Sequence, residues 1–196
     1  MLVCRSIPAM RFIKVRHPGP VLASLSPQIA ERTITCTSAS KTFNLAGLQV
    51  SNIFIRNSSL RRRFCAERSA SGYSQPNTLG LFATEAAYKD GAGWLSALLG
   101  YLEENIRRTR EFLERELPEV RLIEPEGTYL LWLDCSAAGL TAEQLDRAIV
   151  EKGNLWLDSG RIFGHAGEEF QRINIACPWS VLENGLEHLK LALRAR

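Results

Sequence analysis

The 196-residue sequence is defined first by what it lacks. No apolar run approaches the roughly 18 residues that a membrane-spanning helix needs, so no membrane partner is expected. There is no C-x-x-C pair, and His17, His165 and His188 fall at no metal-ligand spacing, so no metal site is expected. Five scattered cysteines, an odd number, make no disulfide frame. Cys36, Cys135 and Cys177 each lie in or beside an apolar run, the setting of reduced thiols buried in a core, which points to a reducing compartment, the cytoplasm. A Walker-type phosphate loop, a Ser-His-Asp signature, internal repeats and low-complexity segments are all absent. The glycines at Gly160, Gly164 and Gly167 lack the strand-to-helix context of a dinucleotide site. At 45% hydrophobic and 23% charged, the composition excludes a disordered or fibrous chain.

Acid is missing from one region only. Residues 1–20 hold Arg5, Arg11, Lys14, Arg16 and His17, no acid, and Pro8, Pro18 and Pro20. With one serine and three helix-interrupting prolines, this stretch reads as a poorly structured terminus rather than a transit peptide. Residues 1–32 carry a balance of +4, whereas the remaining 164 carry 19 basic and 20 acidic groups. A nearly neutral body does not imply a nucleic-acid partner, which needs a concentrated basic face. The run Arg61-Arg62-Arg63 reads as a solvated helix face.

Beyond this terminus the pattern is α/β. Thr33–Thr37 is a β-branched strand, and VSNIFI (50–55) reads as a second. Helices are expected over 60–69 and 77–88. From Gly93 to Leu117, Trp94, Leu98, Leu102, Ile106, Phe112, Leu113 and Leu117 form an apolar stripe, with Glu103–Arg107 and Glu104–Arg108 at the favourable i,i+4 spacing. About 24 residues make a rod of roughly 36 Å, longer than one small domain needs, so this helix is expected to link two domains. Strands are expected at 120–123, 128–134, 155–157 and 172–176. Capping boxes at Thr141/Gln144 and Ser180/Glu183 would open two further helices, the last with a Leu182, Leu186, Leu189, Leu193 stripe.

Two residues stand out chemically. Lys41 directly follows a strand, within Thr37-Ser38-Ala39-Ser40-Lys41-Thr42, where small hydroxyls and turn amides can cradle a phosphate and an amine can act as a nucleophile. Spacing alone does not separate this from an exposed turn lysine. Arg172 heads an apolar strand, where its fork can grip a carboxylate, although such arginines are commonly just surface charges.

Four stretches taken together carry a resemblance: SASKTFNLAGLQVSN (38–52), NTLGLFATEAAYKDG (77–91), EGTYLLWLD (126–134) and GRIFGHAGEEFQRINIACP (160–178). In this order they resemble the fold-type I pyridoxal-phosphate enzymes, specifically the aminotransferase-like C–S lyases of the MalY/PatB type, the cystathionine β-lyases. The resemblance implies that Lys41 holds pyridoxal phosphate as a Schiff base and then moves the substrate α-proton. It also implies that Ser38 and Ser40 lie near the cofactor phosphate and that Arg172 binds the substrate α-carboxylate. The implied reaction is α,β-elimination from an L-cysteine thioether, giving thiol, pyruvate and ammonia. Related aminotransferases often have an arginine eight residues after the lysine; here it is Gln49, which fits the lyase branch.

The resemblance runs from about Ala23 to the C-terminus, and family members are about twice as long. The expected fold is therefore the C-terminal part of such an enzyme. Residues 1–22 are an atypical segment, 23–92 an incomplete remnant of the cofactor-binding large domain, and 93–196 the linking helix with a small α/β domain. Residues 1–20 overlay the region where the family has an Asp-Glu-Ile-His run, whose aspartate meets the pyridine nitrogen. Apart from MLVC, which resembles a strand start, that text is foreign, as expected of a truncated gene product read in a shifted frame over 5–20. Weak or no turnover by this chain alone follows. The alternatives are a non-catalytic remnant or subunit that docks onto a full-length relative through exposed surface at Phe43, Leu45, Leu48 and Ile53–Ile55, and an aminotransferase. The parent family implies a homodimer.

Overall fold

A computed structural model describes residues 2–5 (backbone only), 21–73 and 75–194. The foreign stretch expected over 5–20 lies outside the described residues except for Arg5, which ends a strand. The chain falls into two compact units, Met1–Ala97 and Leu98–Arg196.

The first unit is built on three strands, β1 (Leu2–Arg5), β2 (Thr33–Thr37) and β3 (Asn52–Ile55), in the order β1-β2-β3. β1 runs parallel to β2, and β3 runs antiparallel to it, with Ile34 opposite Ile55. β-branched Thr33, Ile34 and Thr35 are buried, as strand packing favours. Helix α1 (Pro27–Ala30) is capped by Ser26, whose hydroxyl accepts from Ile29 N. Helices α2 (Ser58–Ala70) and α3 (Thr78–Asp90) are capped by the Asn57 and Asn77 side chains. α2 buries no residue, and in α3 only Gly80 is buried. A Cβ at Gly80 would lie 2.4 Å from Val50 Cγ2, so glycine is what lets α3 approach the β2–β3 connection. Arg61 donates to Ile55 O, so the first member of the arginine run closes off a strand end.

The expected exposed apolar surface is only partly where the sequence places it. Ile53 and Phe54 are exposed, but Ile55, on the same face of the strand as Ile53, is buried opposite Ile34 of β2. Phe43, Leu45 and Leu48 are half-buried, Phe43 because its ring stacks on Trp94 at 5.7 Å.

Helix α4 (Ala92–Glu116) has 25 residues and continues from the first unit into the second. Its apolar stripe is buried only from Leu102 onward; Trp94 is exposed and Leu98 half-buried. The buried face also contains two polar residues that an apolar stripe does not reveal. Asn105 Nδ2 donates to the carbonyls of Ile175 and Cys177, and the Thr109 hydroxyl donates to Asn105 O. Of the two expected ion pairs, Glu104–Arg108 forms at i,i+4, while Arg107 pairs with Glu104 at i,i+3 and with Glu111 instead of Glu103.

The rest of the second unit is a four-stranded antiparallel sheet of β4 (Arg121–Ile123), β5 (Leu130–Asp134), β6 (Asp158–Ser159) and β7 (Phe170–Asn174), ordered β4-β5-β7-β6. Alternation divides the central strands cleanly: Leu131, Leu133, Gln171 and Ile173 are buried, whereas Leu130, Trp132, Phe170 and Arg172 are half-exposed. The core is completed by α5 (Ala142–Arg147) with Leu145, a π-type turn over Ala148–Lys152 with Ile149, and α6 (Trp179–Arg194) with Leu182, Leu186 and Leu189. The Thr141/Gln144 capping box forms as expected. Ser180 is no cap, because α6 already begins at Trp179.

Three strand expectations are corrected. The strand expected at 172–176 spans Phe170–Asn174, so Arg172 lies at its centre rather than heading it. No strand forms at 155–157, where Leu155 N instead donates to Ile149 O behind the π-type turn; the polar pair Asp158–Ser159 is the edge strand. β5 starts at Leu130 rather than Thr128, because Thr128 has a positive φ of 71° that no strand accommodates.

Candidate functional site

The lysine turn is placed by β2. Lys41 lies just beyond the carboxyl end of that strand, the end at which α/β sheets present their ligand sites. The Ser38 hydroxyl donates to Val50 O (2.7 Å) and its oxygen accepts from Ser40 N (3.1 Å), which ties the turn to the chain leading into β3. Phe43 N donates to Ala39 O and Leu45 N to Ser40 O, winding 39–45 tightly. Ala39 and Thr42 point inward, each 1% exposed, and Lys41 is directed to the surface.

The Lys41 amine makes no hydrogen bond or ion pair among the described residues, and neither does the Ser40 hydroxyl. Thr42 Oγ1 is buried without any partner, an arrangement that costs about 1–3 kcal/mol when nothing compensates it. A free amine, a free hydroxyl and an orphaned buried hydroxyl on one turn fit an aldehyde- and phosphate-bearing group such as pyridoxal phosphate. The structure therefore brings Lys41, Ser38 and Ser40 together, but with unequal parts. Ser38 spends its proton on Val50 and acts as a pin, leaving Ser40 as the available donor.

Arg172 lies in the second unit, on the half-exposed face of the sheet. Cross-strand register puts Trp132, Arg172 and Asp158 in one row across β5, β7 and β6. Arg172 Nε and Nη2 both donate to Asp158 Oδ2, at 3.0 and 2.6 Å. The Phe163 ring covers the guanidinium at 4.8 Å. Trp132 packs edge-on to Phe163 and stacks on Phe170, both at 5.3 Å. The Arg172 side chain keeps 29% of its surface exposed. It is neither a free surface charge nor a buried pair, but an arginine braced on two sides with the third open.

Behind the row, Asp146 Oδ2 accepts from the Ser159 hydroxyl and Asp146 Oδ1 from Gln171 Nε2. Neither Asp158 nor Phe163 was legible as an arginine partner from sequence. The alternation of β5 does put Trp132 on the arginine's face, and that signal was available.

Comparisons with known proteins identify the family. The sequence profile described as aminotransferase class I and II matches residues 9–189. The chain is 40% identical over 177 residues to the cystathionine β-lyase PatB of Bacillus subtilis, covering 90% of this chain and 46% of PatB. It is 37% identical over 160 residues to MalY of Escherichia coli, covering 81% of this chain and 41% of MalY. Among solved structures, cystalysin from Treponema denticola, which contains pyridoxal 5'-phosphate, superposes with a TM-score of 0.92 at 37% identity. That match covers all of this chain and 49% of cystalysin. The chain spans about half the length of the curated relatives it matches.

Proposed function

Because the chain belongs to the aminotransferase class I and II family, we propose that it carries the lysine-bearing part of a pyridoxal-phosphate-dependent carbon–sulfur β-lyase. In this reading, 23–92 belongs to the cofactor-binding large domain, and 93–196 is the linking helix with the small domain. The observation that carries the proposal is the Lys41 turn, where an exposed amine without a partner stands just past β2 among small hydroxyls.

Lys41 would anchor the cofactor and afterwards take the substrate α-proton on Nζ. Ser40 would donate to the phosphate, with Ser38 holding the turn in shape through Val50. Arg172 would grip the α-carboxylate of an L-cysteine thioether. The bound cofactor supplies an electron sink for the pair left on Cα. The substrate would then lose its thiol from Cβ, and hydrolysis of what remains would give pyruvate and ammonia. The names of PatB and cystalysin, together with Gln49 eight residues past the lysine, favour elimination over transamination. A homodimer and a cytoplasmic setting belong to the same proposal; Cys36, Cys65, Cys135 and Cys177 are all free thiols.

The test is binding rather than turnover. Titration of the chain with pyridoxal phosphate is expected to give a saturable visible band, with borohydride reduction leaving the cofactor on Lys41 in a peptide map. An identical band in Lys41→Ala refutes the assignment. A second reading, a subunit that docks onto a longer relative, is favoured by the exposed Phe54, Leu79, Leu81 and Phe82. Monodisperse monomer in the ultracentrifuge counts against it.

A further inference from the structure

A guanidinium has two edges able to grip a carboxylate: the side edge, Nε with Nη2, and the end edge, Nη1 with Nη2. In Arg172 the side edge is filled by Asp158 Oδ2 and one face is covered by Phe163. Nη1 donates to no described residue. What remains is a single bidentate fork, on a side chain that keeps 29% of its surface exposed.

Asp158 is itself well fixed. It sits opposite Arg172 in the β6–β7 pair, and its neighbour Ser159 is opposite Gln171. Asp146 binds both Ser159 and Gln171, so a two-residue edge strand is clamped from α5. The carboxylate is thus delivered by a held strand rather than by a mobile loop.

We propose that Asp158 is a positioning residue for substrate recognition: it occupies the side edge of Arg172 so that the end fork is presented to the α-carboxylate of the amino-acid substrate. The inference rests on the assignment of Arg172 under the proposed function. The opposite role, a resident carboxylate that substrate must displace, makes the opposite prediction, because its removal would tighten carboxylate binding.

The experiment follows the side-chain Nε–H signals of the 15N-arginine-labelled full chain during titration with sodium propionate, using sodium chloride at matched ionic strength as the reference. Loss of one signal in Arg172→Lys identifies Arg172. In the wild type, propionate is expected to shift the Arg172 signals saturably. In Asp158→Ala the Arg172 Nε–H resonance should move to the position of a solvated guanidinium and the apparent dissociation constant rise at least fivefold. Asp158→Glu should restore both to within twofold, a rescue that general loosening of β6 would not give. Equal or tighter propionate binding in Asp158→Ala overturns the positioning role while leaving Arg172 as the carboxylate site. Unchanged propionate binding in Arg172→Lys, or no shift of Arg172 in the wild type, overturns the arginine assignment and the positioning role with it.

Discussion

Gly160 and Gly167 offer the sharpest test of how the arginine row is held. A Cβ at Gly160 would lie 1.9 Å from Gly167 O and 2.7 Å from Phe170 O, and one at Gly167 would lie 2.4 Å from Gly160 O. Neither glycine has positive φ, so alanine can adopt the backbone conformation and the conflict is purely one of approach. All the opposing atoms are backbone, so no rotamer change relieves it. To reach an ordinary C···O separation of about 3.3 Å, the two segments must part by about 1.4 Å. Overpacking costs about 1–3 kcal/mol, and a conflict between fixed chain segments belongs at the upper end.

For a unit of this size that corresponds to a fall in melting temperature of about 12–24 °C in Gly160→Ala, read by calorimetry. Gly185→Ala in α6 is the control, since its Cβ would meet only Leu155 Cδ1 at 3.9 Å. Replacing an interior helical glycine is expected to stabilise by about 0.5–1 kcal/mol. Melting temperatures that move in the same direction, or a Gly160→Ala shift under about 4 °C, would refute the close-approach argument.

Other outcomes follow from individual contacts. Glu116 is held at a pKa of about 2, below its ordinary 4.5, chiefly by Lys190 and then Arg115. Its stabilisation is therefore complete above about pH 4.5 and lost as pH falls toward 2; Glu116→Gln should flatten, in part, the loss of melting temperature across that window, with Glu104 and Asp134 also contributing to it. Burial pushes the Cys135 thiol up to about 12, whereas Cys65 is exposed on α2, so iodoacetamide at pH 8 should label Cys65 in the native chain and Cys135 only after denaturation. Leu131→Ala removes a fully buried side chain opposite Ile173 and should cost about 2–5 kcal/mol in urea unfolding; a cost below 1 would mean that this face of the sheet is not core.

Much of the fold was legible because its signals are local and periodic. The β-branched run at Thr33–Thr37, the Thr141/Gln144 capping box and the leucine stripe of α6 each form where the pattern points. The misses have tertiary causes. The stripe of α4 continues unbroken in sequence through Trp94 and Leu98, but only its later turns meet a core within their own unit. Asn105 breaks the apolar rule there, since the carbonyls of Ile175 and Cys177 need a donor that a leucine could not supply. Leu155-Trp156-Leu157 looks more like a strand than Asp158-Ser159 does. Edge pairing to β7 and the hydrogen bonds to Asp146 select the polar pair instead.

The candidate site divides in the same way. Lys41 and its hydroxyl neighbours are contiguous, so a linear motif finds them, and the turn's hydrogen bonds then distinguish Ser38, which is committed to Val50, from Ser40, which is not. The surroundings of Arg172 are assembled from four places: Trp132 on β5, Asp158 on β6, Phe163 in the turn after it, and β7 itself. No spacing rule links a residue to one 14 positions away on an antiparallel neighbour unless the register is known, and register here depends on a two-residue strand that sequence alone misplaces by a few positions. An arginine with one edge filled and one face covered is oriented before any ligand arrives, so less side-chain entropy is lost on binding than for a free surface arginine. The same pairing lowers the local positive charge available to attract the ligand. Orientation outweighs charge only if the fork is fixed, and Gly160, packed against Gly167, opens the short turn that ends at Phe163, directly after the Asp158–Ser159 strand. Gly160→Ala is expected to broaden the Arg172 Nε–H signal and weaken propionate binding well below its unfolding temperature. A sharp, unshifted signal in that variant would show that Asp158 alone sets the geometry.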